Sequence, residues 1–475
     1  MGFFLSVVYL LTNYLTPPVL FGPVAQVHIE IVLAFLILLV SIPQITRSVA
    51  FKTPQTLALA GLSVSVFLSV LIATRWPGGA VRALLDFIPN IYAYFVLCLH
   101  CNSRKKLRVL VLMLLFVCLF VIAHGVMDLQ RVGHSPPDAA SPDGFNADTE
   151  SDVSHRMRQR MWEIEHPYIF PMQDDNKNWF YRVRGLGEIH DPNDFGQILV
   201  SEIPLLFIFW KRKKWTRNLF FVILPAGTLL YGIYLTHSRG ALLALLAVIL
   251  FAARRRIGTL PAGVIAAVAF AGAMALHFTG GRSISAGAGA GREELWGESL
   301  QLVKSYPIFG IGMGQLPGYI GHTAHNSIVV CAAELGFVGL FFWCLFLLPT
   351  ARNAFLIASP KKVSEAPDVD TQEDSFSLRA WKGTPLGKPE VNHWGFCLSL
   401  SLIGFFAAGF FLSRALVLSF FLLGGMTEVV YESAQHRGMV TPRLTLGRAL
   451  KYSTVLMFVL LAVVYVMLRV LNMSR

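Results

Sequence analysis

Charge is scarce in this chain. Only 14% of its 475 residues are Asp, Glu, Lys or Arg, against about 25% in a typical soluble domain. Apolar residues make up 55%, and the mean hydropathy is +0.58. A soluble globule of this composition would expose far too much apolar surface, and the same arithmetic excludes disordered and fibrous classes. Cysteine is sparse as well. Cys98, Cys101, Cys118, Cys331, Cys344 and Cys397 all lie in or at the ends of apolar runs. None pairs within a polar loop, so no disulfide framework is indicated. Cys98 and Cys101 have CxxC spacing, a weak signal when it stands alone at a helix end. The first apolar run lacks a basic leader and a small-residue cleavage site, so no cleavable signal peptide is expected.

Long apolar runs are abundant. They fall at about 3–21, 29–45, 56–74, 84–101, 108–125, 193–210, 218–236, 240–253, 257–277, 326–349, 394–413, 415–431 and 452–470. A spanning helix takes about 20 such residues. In lipid only a helix or a closed barrel satisfies its own backbone groups. The expected fold is therefore an all-α polytopic membrane protein of about 12–13 transmembrane helices. The expected divisions are helices in 1–125, a loop at 126–191, helices in 192–277, a loop at 278–325, one helix in 326–350, a linker at 351–392 and helices in 393–475.

Lys and Arg set the orientation. Arg104, Lys105, Lys106 and Arg108 fall in one loop, Lys211–Lys214 with Arg217 in a second, and Arg254–Arg256 in a third. All three share one side if the runs alternate, and that side is assigned to the cytoplasm. The net charge of +12 then reflects loop bias, and nucleic acid is not an expected partner. The loops 126–191 and 278–325 fall outside. The first is acidic, with seven basic and eleven acidic residues from Val126 to Glu188. The second holds a glycine/alanine tract at Ala286–Gly291, a flexible composition. The linker 351–392 is rich in Pro, Ser, Lys and Glu. The stretch His155–Trp162 reads either as an interfacial helix or as a solvated loop face.

Three polar clusters sit where spans meet the outer loops. The first runs from Arg182 and Arg184 through Asp191, Pro192 and Asn193. Asp191 suits a helix N-cap and Pro192 a first turn, so a capped helix and the polar rim of a cavity are both open readings. The second is Thr236-His237-Ser238-Arg239-Gly240. An arginine at this depth is costly unless paired, hydrated or ligand-bound. It either snorkels to the interface or clamps an anion, since a guanidinium forks onto phosphate oxygens. The third begins at Arg292 and Trp296, passes Tyr306–Gly314, and ends at His322, His325, Asn326 and Ser327. Gly310, Gly312 and Gly314 have neither a preceding strand nor a following Lys-Ser/Thr, so a turn or re-entrant loop fits better than a nucleotide site. His325 opens an apolar run, and histidine is the usual general base near neutral pH. Glu334, nine residues on, would face the other side of a straight helix and reads as a polar contact between helices.

The ordered set RGLGEIHDPNDF (Arg184–Phe195), THSRGA (Thr236–Ala241), GREELW (Gly291–Trp296), YPIFGIGMG (Tyr306–Gly314) and HNSIVVCAAELG (His325–Gly336) resembles the O-antigen ligase / O-antigen polymerase superfamily of bacterial inner-membrane glycosyltransferases. The resemblance runs from about Arg182 to Gly339. It implies a C-type glycosyltransferase-like helical bundle with a periplasmic active site and an undecaprenyl-pyrophosphate-linked glycan as donor. The implied reaction is metal-independent and inverting, with no cofactor. By motif match, Arg239 and Arg292 would hold the pyrophosphate, and His325 would deprotonate the acceptor hydroxyl. Arg184, Asp191, Asn193, Ser238, His322 and Asn326 would support them. The implied acceptor is lipid A-core. The alternatives within the class are a polysaccharide (O-antigen or exopolysaccharide) polymerase and a protein O-oligosaccharyltransferase. A transporter of lipid-linked glycan is the rival of a different class, but it would place its polar residues near the midplane rather than at the outer mouths of the spans.

Overall fold

The computed structural model describes residues 1–16, 29–45, 53–133, 162–174, 176, 178–276, 278, 290–359 and 386–473. Among the described residues each apolar run of the sequence overlaps a helix: α1 (Gly2–Leu15), α2 (Ile29–Ile45), α3 (Pro54–Thr74), α4 (Pro77–His100), α5 (Arg104–Val132), α6 (Pro192–Leu206), α7 (Trp215–Thr236), α8 (Arg239–Ile257), α9 (Thr259–Ala275), and then, after α10 (Ala290–Ser305) and α11 (Leu316–Ile320), α12 (Ser327–Ile357), α13 (Lys388–Gly409), α14 (Leu418–Gln435) and α15 (Leu446–Met473). Among the described residues, seven of these helices are long and apolar enough to cross a membrane. The architecture is that of an all-α polytopic membrane protein. Two five-residue strands, β1 (Ile169–Gln173) and β2 (Trp179–Val183), add an antiparallel hairpin within the loop that precedes α6.

Local chemistry fixes several boundaries. Thr53 caps α3 with its side chain, and Pro54 takes the first helical position, where a missing N–H costs nothing. Asp191 caps α6 in the same way, with Pro192 following. Within α7, a wide turn at Leu219–Ile223 precedes Pro225. A regular turn there would drive the proline ring into the carbonyl four residues back, and a π-type turn relieves it. α12 extends to Ile357 and α13 begins at Lys388, so both helices reach into the segment expected as a linker. Residues 360–385 of that segment, the glycine/alanine tract before Ala290 and the stretch 155–161 lie outside the described residues.

The chain forms two compact units. One comprises Met1–Leu10, Ile29–Val111 and Ala286–Arg475, and the other Leu11–His28 and Leu112–Ser285. In the first unit α12 is the central element, packed by α3, α10, α13, α14 and α15. Its core is aromatic. Trp343, Phe346, Phe405, Phe420 and Phe421 are buried to within 2%. The rings of Trp343, Phe346, Phe420 and Phe421 meet edge-on or tilted at 4.9–5.9 Å, which suits the ring quadrupole, and Phe405 stacks on Phe420 at 5.7 Å. The Trp343 indole N–H donates to the Ala415 carbonyl at 2.9 Å. Near the far end of α12, the buried Glu428 accepts from Gln55 and Asn353 and pairs with Arg443. A buried carboxylate persists only with such partners.

In the second unit α6 is buried almost throughout and packs on α7 and α8. The hairpin pairs Ile169 with Val183 and Phe170 with Arg182. Its inner end rests on α5, where a Cβ at Gly125 would lie 2.5 Å from the Val183 side chain. Alternation along β2 puts Phe180 and Arg182 on one face and Trp179, Tyr181 and Val183 on the other.

Candidate active site

The second unit holds the Arg239 turn. α7 ends at Thr236, and His237 takes a left-handed conformation (φ 46°). Such a backbone is uncommon for a residue with a Cβ and requires external support. That support is present. His237 Nδ1 lies 2.9 Å from the Phe278 carbonyl, and its ring meets Phe180 and Tyr234 edge-on at 5.4 and 5.3 Å. Ser238 then caps α8, its Oγ accepting from the Ala241 N–H at 3.2 Å. Gly196 of α6 lets α8 approach; a Cβ there would fall 2.8 Å from that of Ala241. Arg239 is half-buried at the first position of α8, beside the unsatisfied N–H groups and positive dipole end of a 19-residue helix.

Arg182 secures this turn. It is 4% exposed. Its Nε donates to the Thr236 carbonyl at 2.7 Å and its Nη2 to Asn193 Oδ1 at 2.8 Å. The first bond satisfies a carbonyl left open at the end of α7. Asn193 in turn donates its backbone N–H to Asp191. Asp191 and Asn193 are therefore tied to the Arg239 turn through Arg182. Arg184 points elsewhere. Its Nε donates to the Pro167 carbonyl at 3.2 Å, and its guanidinium lies over Phe170. Burial lowers its pKa from the ordinary value, with Glu163 and Asp191 partly restoring it.

The first unit holds the His325 turn. His325 is also left-handed (φ 48°) and half-buried. Its backbone N–H donates to Ser413 Oγ at 2.8 Å. Asn326 caps α12, accepting from the N–H groups of Ile328 and Val329. Its buried Nδ2 has no partner among the described residues. Ser327 Oγ donates to the Leu412 carbonyl and accepts from the Arg414 N–H. Trp296 of α10 donates its indole N–H to the Ala324 carbonyl at 2.7 Å, one residue before His325. Arg292 lies in the first turn of α10, one turn before Trp296. His322 is exposed.

The glycine-rich segment Tyr306–Gly314 has a structural task. α12 is broken at Gly336 (φ 67°, ψ −168°), and this segment fills the break. Ile311 and Gly312 donate to the carbonyls of Ala333 and Glu334 at 2.9 and 3.0 Å, while Phe337 and Val338 donate to those of Pro307 and Ile308 at 2.7 and 3.2 Å. Gly310, Gly312 and Gly314 all have positive φ. The Glu334 side chain accepts from the Leu316 N–H at 3.3 Å. Glu334 of α12 thus meets the first backbone N–H of α11, a polar contact between helices.

Sequence reasoning placed Arg182 in the first cluster without its role, and passed over Ser413, Arg414 and the anchoring role of Trp296. Two of these carried a signal. Ser413-Arg414 interrupts two apolar runs in the same way as Ser238-Arg239. Arg182 was visible only as part of a basic cluster, because its partner is 54 residues away.

The fold and these turns define a multi-pass membrane protein with basic and histidine residues at helix ends. Residues 224–344 match the family model described as O-antigen ligase. The match spans α7 from Leu224, includes Arg239, Arg292 and His325, and ends within α12; it leaves out the hairpin and the cluster 182–195. It supports placement in the O-antigen ligase/polymerase superfamily. No curated protein matches this chain.

Proposed function

We propose that this protein is a glycosyltransferase of the O-antigen ligase type. It moves a glycan from undecaprenyl pyrophosphate to an acceptor hydroxyl, lipid A-core by preference, on the periplasmic face of a bacterial inner membrane. The observation that carries this reading is the family match across Arg239, Arg292 and His325. The two rigidly held left-handed turns at His237 and His325 add support, because backbone strain concentrates at functional sites.

In this mechanism the acceptor oxygen attacks the anomeric carbon from the face opposite the pyrophosphate. The carbon–oxygen bond to pyrophosphate breaks, the anomeric centre inverts, and the acceptor proton passes to the His325 imidazole. Arg239 and Arg292 take up the negative charge gained by the departing pyrophosphate. Fixed cations aimed at developing charge favour the transition state over the ground state.

The test uses purified protein with an undecaprenyl-pyrophosphate-linked glycan. Lipid A-core, a second lipid-linked repeat and a Ser/Thr-rich peptide are supplied in parallel, and mass spectrometry reads the product. Mass gained by lipid A-core, and lost in His325→Ala, is the expected result. Gain on the lipid-linked repeat or on the peptide instead would identify a polymerase or a protein-glycosylating enzyme. Bound donor with no product on any acceptor would overturn the transferase reading in favour of transport.

A further inference from the structure

We propose that an anionic bilayer phospholipid is held by the first unit, with one acyl chain in the groove between α10, α12 and α15 and its phosphate between Lys304 and Arg469. The groove encloses about 410 Å³. Leu300 and Val303 of α10, Phe337 of α12, and Leu461 and Leu468 of α15 form its walls. These five side chains offer an acyl chain dispersion contacts, while Gln301 and Tyr465 also line the groove.

The rim has the opposite character. Lys304 and Arg469 both border the groove. Among the described residues neither is in an ion pair with a carboxylate. Arg469 Nε donates to the Tyr465 hydroxyl at 3.1 Å, which directs the guanidinium along the rim. Depth agrees with a headgroup. α15 carries Arg448 and Lys451 at its start, then an apolar stretch, then Arg469. From Lys451 to Arg469 the helix rises about 27 Å, close to the thickness of a bilayer's hydrocarbon core. Arg469 therefore falls at headgroup level.

The charge pair argues for a bilayer phospholipid rather than the lipid-linked donor. Lys304 lies twelve residues beyond Arg292 on α10, about 18 Å along the helix. A phosphate seated at Lys304 is out of reach of Arg292. This exclusion rests on the proposed role of Arg292. The groove, its walls and its cations do not depend on that role.

The experiment places the full chain in nanodiscs of phosphatidylcholine with a minority of phosphatidylglycerol. Native mass spectrometry then reads the lipid that stays bound. Each basic residue at a membrane surface favours anionic lipid about five-fold, so the wild type should raise the ratio of bound phosphatidylglycerol to bound phosphatidylcholine about twenty-five-fold over that of the bilayer. The double variant Lys304→Gln/Arg469→Gln should remove the enrichment; both side chains are exposed, so the fold tolerates the change. Gly297→Phe adds a second arm. A Cβ at Gly297 meets nothing within 4 Å, and the residue lines the groove, so the ring should displace the acyl chain without changing charge. Equal lipid profiles for wild type and variants overturn the proposal. So does retention of a polyprenyl pyrophosphate, lost in Gly297→Phe, in place of phospholipid. No donor or acceptor is supplied, so the outcome is independent of the transferase reading.

Discussion

Replacing Arg182 by Gln tests whether the Arg239 turn is held from a distance. The side chain is 4% exposed and bonds both the Thr236 carbonyl and Asn193. A hydrogen bond to a charged group contributes about 1.5–3 kcal/mol. Gln reaches less far and can satisfy only one of the two acceptors. Losing one such bond, together with the desolvated carbonyl it leaves, should lower stability by about 2–3 kcal/mol. The stability cost is local to the end of α7 and the start of α8. The functional cost is larger, because displacing a reactive group by about 1 Å removes about 10²-fold in rate. Turnover with lipid-linked glycan should therefore fall about 100-fold, with the acceptor KM little changed. Lys should rescue poorly, since a single ammonium lacks the planar fork that reaches both oxygens. The assay is initial-rate mass spectrometry on protein shown by thermal unfolding to be folded. Wild-type turnover in folded Arg182→Gln, beside an inactive Arg239→Ala, would refute the positioning argument. Wild-type turnover in Arg239→Ala itself would remove the pyrophosphate role instead.

Other substitutions separate geometry from chemistry. Gly310→Ala should unfold or strongly destabilise the first unit, because its Cβ would lie 2.4–2.5 Å from the Ala333 and Glu334 backbone at φ +68°. Gly314→Ala meets nothing within 4 Å at φ +73°, and thermal melts should show only about 1 kcal/mol lost. Trp296→Phe keeps the packing against Phe410 but deletes the donor to Ala324, at a stability cost of about 1 kcal/mol; turnover should fall further than that figure implies if the His325 turn shifts. For Arg239 and Arg292, Ala should abolish transfer with insertion intact, and Lys should restore little; full activity in both Ala variants would end the clamp mechanism. In His325→Ala the residual rate should lose its dependence on pH near neutrality, and an unchanged pH profile would exclude His325 as the base.

The helices were legible because lipid leaves the backbone one economical solution for each apolar run. The cap at Asp191 was equally local, since a side-chain oxygen serves an N–H two or three residues on; the cap at Ser238 follows the same rule but was recognised only in the structure. Arg239 and His325 stood out because charge and imidazole are conspicuous at the ends of apolar runs, whereas Arg292, inside the loop 278–325, was singled out by the resemblance of its motif. The hairpin was not legible. Its strands are five residues each and lie in a loop whose acidic composition dominated the pattern. The docking of Tyr306–Gly314 into α12 was hidden for a similar reason. Glycines in a motif announce a positive φ, but they do not say which carbonyls the freed N–H groups will meet.

Sequence by itself thus determined what each short segment must do: bury its apolar face, close its own hydrogen bonds, and place its few charges at the ends. Tertiary structure decided which distant groups complete those ends. Arg182 capping Thr236, Trp296 anchoring Ala324, and Ile308–Gly312 filling the break at Gly336 all join residues more than twenty positions apart. Helix and cap rules act over three or four residues. Partnerships at longer range are chosen by the packing of whole helices, and that choice exists only once the chain has folded.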